Sequence, residues 1–397
     1  MRRWLDQLEQ FAIEVILEKR FGKRAALFRL FLLGLSKIFG RLVHLRLQLY
    51  RERILRERQL GVMVISIGNL TVGGTGKTPV VEKFARALTD GGRTVAILSR
   101  GYKSKRPPLL RRIVGRLKGD VSWSQPRVVA DGKQLLLDSA TAGDEPYMLA
   151  RNLKNVVVVV DKDRVKAGLY AIKHFKADTL LLDDGFQYLK LKHRLDVVLI
   201  DRQQPFGNEF MLPRGTLREP PENLKRARYI FITKSLPSGN ADLIERIRRY
   251  NRTAEIIECT HRPLHLQNIF TDETKPLEYL QDRWIGALSA IAAPWSFESA
   301  LTDLGAKLDL AKRFTDHYRF TEKDITTFVE RCARRDLDAI ITTEKDAVRI
   351  PRIEGLDLPI YYLRVEIEIL SGHESWEACV RRICQPQEML APERFYL

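Results

Sequence analysis

Two hydrophobic rhythms run along this 397-residue chain, helical at the start and strand-like from about residue 62. Trp4, Leu5, Leu8, Phe11, Ala12, Val15 and Ile16 recur at helical spacing with acids between them, which predicts an amphipathic helix. A second stripe, Leu27, Phe31, Leu35, Ile38, Leu42, Leu45 and Leu49, predicts a longer one. Arg29, Lys37, Arg41, Arg46 and Arg51 break its apolar runs, so it falls short of the roughly 20 uninterrupted apolar residues that a bilayer span needs. Short apolar runs of the buried-strand kind follow at 62–67, 94–98, 156–160, 179–182, 197–200 and 229–233. Helical stretches at 79–88 and 147–153 alternate with them, which predicts an α/β fold built on a parallel sheet. Arg262-Pro263 and the turn-rich stretch 271–276 read as a linker, after which 284–292 restarts an α/β pattern. The expected organisation is an amphipathic helical segment over 1–58, an α/β core over 59–262 and a smaller C-terminal α/β domain over 263–397.

The first strand runs into Thr71-Val72-Gly73-Gly74-Thr75-Gly76-Lys77-Thr78, and a helix follows, which is the order a phosphate-binding loop requires. Glycines let backbone N–H groups converge on phosphate oxygens, Lys77 can reach the β/γ-phosphates, and the Thr78 hydroxyl can ligate Mg²⁺. The pattern G-x-x-x-x-G-K-[ST] is met except at its first glycine, which is Thr71 here. The core therefore reads as a P-loop NTPase-like domain that binds a nucleoside triphosphate. Downstream, the strand 179–182 ends in Asp183-Asp184-Gly185, the hydrophobic strand capped by aspartate that P-loop enzymes use for Mg²⁺. Asp183 and Asp184 are the expected metal-side carboxylates.

Charge adds a partner. The chain carries 67 Lys and Arg against 50 Asp and Glu, net +17, which implies nucleic acid, an acidic membrane surface or a phosphorylated substrate without choosing among them. Residues 1–58 hold 14 Lys and Arg against 6 Asp and Glu on leucine-rich helices, a composition suited to an anionic lipid interface. A helix packed on the protein's own core with solvated charges is the alternative. The stretch 103–118 has seven basic residues and no acid, and fits either a basic loop near an anionic surface or a solvated loop. Four cysteines, Cys259, Cys332, Cys379 and Cys384, form no C-x-x-C pair, so neither a zinc site nor a secreted disulfide framework is expected. No apolar core followed by a small-residue cleavage site marks a signal peptide.

Seven blocks together resemble the tetraacyldisaccharide 4'-kinase family. They are Gly68-Asn69-Leu70 running through the loop to Pro79, Ser99-Arg100-Gly101-Tyr102, Gly143-Asp144-Glu145-Pro146, Asp183-Asp184-Gly185-Phe186-Gln187, Leu217-Arg218-Glu219-Pro220, Asp316-His317-Tyr318 and Thr343-Glu344-Lys345-Asp346. Thr71 fits the family's own version of the loop, and the basic, leucine-rich N-terminus resembles its membrane anchor. The resemblance implies transfer of the γ-phosphate of ATP, with Mg²⁺, to the 4'-hydroxyl of an acylated glucosamine disaccharide 1-phosphate in lipid A biosynthesis. It implies work at the cytoplasmic face of the bacterial inner membrane and no nucleic-acid partner. It also implies that Asp144 accepts the sugar proton with His317 in support, and that Glu219 assists at the metal or nucleotide.

Two other P-loop classes fit less well. A partitioning-type ATPase carries a signature lysine where Val72 stands, and a GTPase-like switch needs Asp-x-x-Gly and Asn-Lys-x-Asp where this chain has Asp183-Asp184-Gly185 and Thr233-Lys234-Ser235-Leu236.

Overall fold

The computed structural model describes residues 11–16, 18–101, 125–271 and 273–385. The basic stretch 103–118, Tyr102 and residues 4–10 of the expected N-terminal helix lie outside them, and residues 11–16 are helical. The chain clusters into two compact units: Met1–Lys77, Thr179–Thr260 and Ile369–Leu397 form the first, Thr78–Asp178 and His261–Glu368 the second. The architecture is mixed α/β with parallel strand pairs predominating; strands are numbered β1 to β13 in chain order.

In the first unit, β1 (Met63–Asn69) pairs in parallel with β5 (Thr179–Asp183) on one side and with β6 (Leu195–Asp201) on the other. Beyond β6 lie β7 (Tyr229–Thr233) and the start of β8 (Glu255–Asn268), also parallel. The inner strands carry continuous buried apolar runs, as at 180–182, 197–200 and 229–232, because both faces are covered, so these runs do not alternate. Phe186, Val198, Phe206, Ile230 and Ile247 pack into one core beneath the carboxyl ends of β5, β6 and β7.

The helix Lys23–Arg51 belongs to this unit and turns Ala25, Leu32 and Ser36 inward. Leu27, Leu30, Phe31, Ile38, Leu42 and Leu45 stand exposed on it. Among the described residues, no helix is long and apolar enough to cross a membrane.

In the second unit, β2 (Val95–Ser99) runs parallel to β4 (Val157–Val160), and β3 (Arg127–Asp131) runs antiparallel to β4. β10 (Trp284–Ser289) lies between β11 (Lys307–Arg313) and β12 (Ala339–Thr343), and β12 pairs with β13 (Ile360–Ser371), all in parallel. The linker expected at Arg262-Pro263 is corrected: both residues lie inside β8. Pro263 falls between the stretch where β8 pairs with β7 and the one where it pairs with β9 (Thr274–Lys275), so its missing N–H removes no bond from either ladder. Arg262 is ion-paired at 2.7 Å with Glu366 of β13.

Candidate functional site

β1 stays buried to its last residue, Asn69, and seven loop residues then lead into the helix Lys77–Asp90. That helix buries Val80, Val81, Phe84, Ala85 and Leu88, a set worth roughly 1.5–3 kcal/mol for each large side chain. Gly73 and Gly76 have φ of 119° and 75°, the left-handed region that favours glycine. Thr71 is not among the positive-φ residues, which is the physical reason a glycine is dispensable there. Its carbonyl instead takes hydrogen bonds from Asn69 Nδ2 at 2.8 Å and Arg218 Nε at 3.1 Å. Val72, Gly73 and Gly74 are exposed, whereas Thr75 is buried and its Oγ1 has no hydrogen-bond partner. The main chain is tied down from outside: Val72 N–H donates to Thr216 O at 2.8 Å, and Thr233 Oγ1 donates to Thr75 O at 3.0 Å.

Around this loop the first unit gathers a charged cluster. Lys77 Nζ lies 3.2 Å from Asn69 Oδ1 and 3.5 Å from Asp184 Oδ1. Arg218 donates through Nη1 to both Asp184 oxygens, at 3.0 and 2.8 Å, and through Nη2 to Asn69 Oδ1 at 3.2 Å. Gln187 closes the ring, donating to Asn69 O at 3.0 Å and accepting from Arg218 at 3.4 Å. Asp184 follows the end of β5 with φ 57°, which turns it out of the strand beside the buried Asp183. Two cations and a half-exposed carboxylate thus stand at the mouth of a glycine-rich loop, a set of charges suited to phosphate oxygens and a hard cation. Glu219 is placed differently. It is buried, it accepts from Asn223 and Arg226 at 2.7 Å each, and burial pushes its carboxyl up despite the Arg226 charge. Arg226 in turn lies over the Phe186 ring, 4.0 Å from its centroid.

The second unit holds the other predicted pair, Asp144 and His317. Asp144 opens the helix Asp144–Asn152, and His317 sits at φ 63° after β11 with its N–H on Ala290 O at 3.2 Å. His317 Nδ1 is 3.4 Å from Asp144 Oδ2. Arg349, whose side chain is fully buried, donates to the same oxygen at 2.8 Å, lies 3.0 Å from His317 Nδ1, and pairs with the equally buried Asp346 at 3.0 Å. Arg319 reaches Asp144 Oδ1 at 3.4 Å, and Lys345 Nζ approaches His317 Nε2 at 3.3 Å. Burial pushes the Asp144 carboxyl up, but the His317 hydrogen bond and the Arg349 and Arg319 charges outweigh it and hold the group below the usual aspartate range. Asp144 is therefore an ionised, weakly basic carboxylate at neutral pH.

The short helix Glu344–Ala347 distributes three successive side chains to three partners. Lys345 faces His317, and Asp346 takes Arg349, Ala290 N–H and Thr343 Oγ1. Glu344 faces Arg364, which donates to it at 2.9 and 2.7 Å and is also paired with Glu82 of the helix Lys77–Asp90. Burial raises Glu344 despite the Arg364 charge.

Asn69, Gln187 and Arg218 sit inside blocks that carry the family resemblance, yet the sequence gave them no role; shared contacts with Lys77 and Asp184 do. Arg349 lies outside every block, and its only sequence signal is its position three residues after Asp346, one helical turn on.

Comparison with known proteins follows the same blocks. A family model described as Tetraacyldisaccharide-1-P 4'-kinase matches residues 28–385. A tetraacyldisaccharide 4'-kinase from Anaeromyxobacter dehalogenans is 38% identical over 341 residues, 85% of each chain. One from Halothermothrix orenii is 33% identical over 383 residues, 91% of this chain and 95% of its own. Among solved structures, LpxK from Aquifex aeolicus in complex with ATP superposes with a TM-score of 0.70 at 28% identity, covering 90% of this chain and all of that one.

Proposed function

The chain belongs to the tetraacyldisaccharide 4'-kinase family, and from that premise we propose how its own residues carry the reaction. It is a kinase of lipid A biosynthesis that transfers the γ-phosphate of ATP to the 4'-hydroxyl of a tetraacyldisaccharide 1-phosphate. Family membership favours this over a partitioning-type or GTPase-like switch. The observation that carries the assignment of roles is the Lys77, Asp184 and Arg218 cluster at the mouth of the glycine-rich loop.

The ATP phosphates sit on the amides of Thr71, Gly73, Gly74, Thr75 and Gly76; Val72 lines the same loop, its own N–H being held by Thr216 O. Lys77 and Arg218 supply the positive charge that phosphoryl transfer needs as it spreads over the equatorial oxygens. Hard oxygens suit a magnesium ion, and the Asp184 carboxylate, the Thr78 hydroxyl and the buried acids Asp183 and Glu219 are the groups that would supply them. Among the described residues, no three His, Cys, Asp or Glu side chains could hold a metal by themselves, which suits an ion that takes one or two protein oxygens and completes its shell with phosphate. Bound there, the ion would neutralise charge on the transferring group.

Asp144 receives the proton of the attacking hydroxyl. Its low basicity supports a late, assisting role, because a loose transition state asks little of a base. His317 and Arg349 hold its carboxylate in one orientation. The exposed leucines of the helix Lys23–Arg51, with Lys37 and Arg41 among them, support a peripheral seat on an anionic membrane at the cytoplasmic face of the inner membrane, where an acylated substrate is presented.

The test is radiolabelled ATP with the disaccharide 1-phosphate in detergent micelles. A new alkali-stable phosphate on the distal sugar is the expected product, and label found only in free phosphate refutes the assignment.

A further inference from the structure

The helix Lys23–Arg51 has two faces with different chemistry. Its exposed face is the apolar stripe already described. Two of its polar side chains, the buried Ser36 and the exposed Arg46, contact loops that themselves hold the phosphate loop. Ser36, only 5% exposed, donates from Oγ to Met211 O at 2.8 Å, one turn from Gly40, whose Cα side lies against the Met211 side chain. Arg46 Nη2 donates to Gln187 O at 3.2 Å.

Both contacts lead inward within a few bonds. Met211 begins a loop that returns through Thr216, whose carbonyl takes Val72 N–H at 2.8 Å, and Arg218, whose N–H donates to Leu70 O at 2.7 Å. Gly215 N–H donates back to Met211 O, so the oxygen held by Ser36 also anchors the turn that sets Thr216. Gln187, gripped at its carbonyl by Arg46, uses its side chain on Asn69 O and on Arg218. The strand end, the N-terminal flank of the phosphate loop and the Arg218 guanidinium therefore rest on two loops braced by one helix.

We propose that Ser36 and Arg46 are positioning residues for ATP: the helix, beyond seating the protein on a surface, braces the loops at Met211 and Gln187 and so fixes the phosphate loop and Arg218. This rests on the proposed function for its substrate and adds a role that a simple anchor would not have. It needs no membrane to operate, and that separates it from surface binding.

The experiment uses the full chain in detergent micelles with Mg-ATP and the disaccharide 1-phosphate. Ser36→Ala with Arg46→Ala is expected to raise the KM for ATP about three- to tenfold, the scale of one or two lost hydrogen bonds, with the KM for the lipid acceptor unchanged. Arg46→Lys, which keeps one donor, should recover most of the Arg46→Ala effect. Ile38→Asn on the exposed face should weaken vesicle binding and leave the KM for ATP at the wild-type value. A double variant with a wild-type KM for ATP and only a lowered melting temperature overturns the proposal, as does an equal rise in Ile38→Asn. Failure of the wild-type chain to phosphorylate the acceptor counts against the proposed function, whereas an active wild type with unaltered variants counts against this inference alone.

Discussion

Asp144→Asn isolates the proton acceptor with little change of shape. The amide oxygen can still accept the 2.8 Å bond from Arg349, so what the fold loses is the charge-assisted part of one buried contact, about 1–1.5 kcal/mol. The reaction loses its base. General-base assistance is typically worth about 10²- to 10⁴-fold, and the depressed basicity of Asp144 places this enzyme near the lower end, about 10²-fold or 2.7 kcal/mol. ATP affinity should be unchanged, because the Lys77, Asp184 and Arg218 contacts include no residue of the Asp144 cluster. His317→Ala removes a neighbour 3.4 Å from the carboxylate that acts through it, so the double variant should be little worse than the worse single one. Single-turnover transfer of labelled phosphate and equilibrium nucleotide titration for both singles and the double make the measurement. Multiplicative losses, an ATP-affinity defect alone, or Asp144→Asn retaining more than about a third of wild-type kcat would each remove Asp144 as the proton acceptor.

Lys77→Ala should lower kcat by about 10²-fold or more by withdrawing charge from the transferring group, and near-normal turnover would sink the phosphate-loop roles. Arg364→Met leaves the buried Glu82 and Glu344 without their shared cation and should cost about 3–5 kcal/mol. Because Glu344 is already raised above its ordinary value, its charge is a burden that grows as pH rises through the folded value, so the fall in melting temperature should be larger at pH 8 than at pH 5.5; the reverse order refutes the reading. Asp144 has the opposite sign: its depressed value stabilises above about 3.8 and is lost as pH falls through the folded value, so Arg319→Gln should move the acid limb of kcat/KM upward. Replacing Leu30, Phe31, Ile38 and Leu42 by Ser should cut co-sedimentation with anionic vesicles about tenfold or more, and unchanged binding would deny the helix its membrane role.

What could be read from the sequence depended on how local its cause was. The runs at 156–160 and 229–233 became strands because β-branched and aliphatic residues buried on both faces leave no other reading, and the glycine-rich loop declared itself because Gly73 and Gly76 need a backbone that other residues resist. The Arg262-Pro263 linker failed because a proline normally breaks a ladder, and only pairing partners distant in sequence show that it stands outside the β7 and β9 ladders. Arg218 and Arg349 were silent for the same reason: an arginine's importance lies in which carboxylates surround it, and Asp184 and Asp144 are 34 and 205 residues away.

The arrangement at Glu344, Lys345 and Asp346 constrains how this protein can change over time. Each residue of a helix is turned about 100° from the one before, and here that rotation is the device that sends three neighbouring charges to Arg364, His317 and Arg349. A single inserted or deleted residue would move each side chain off its partner and set Lys345 against Arg349 or against Arg364, and point substitutions could not correct it one at a time. Drift through this segment should therefore preserve its phase even where surrounding loops vary in length. A chimaera that imports the segment from a relative should work only if Glu82, His317, Arg349 and Arg364 travel with it.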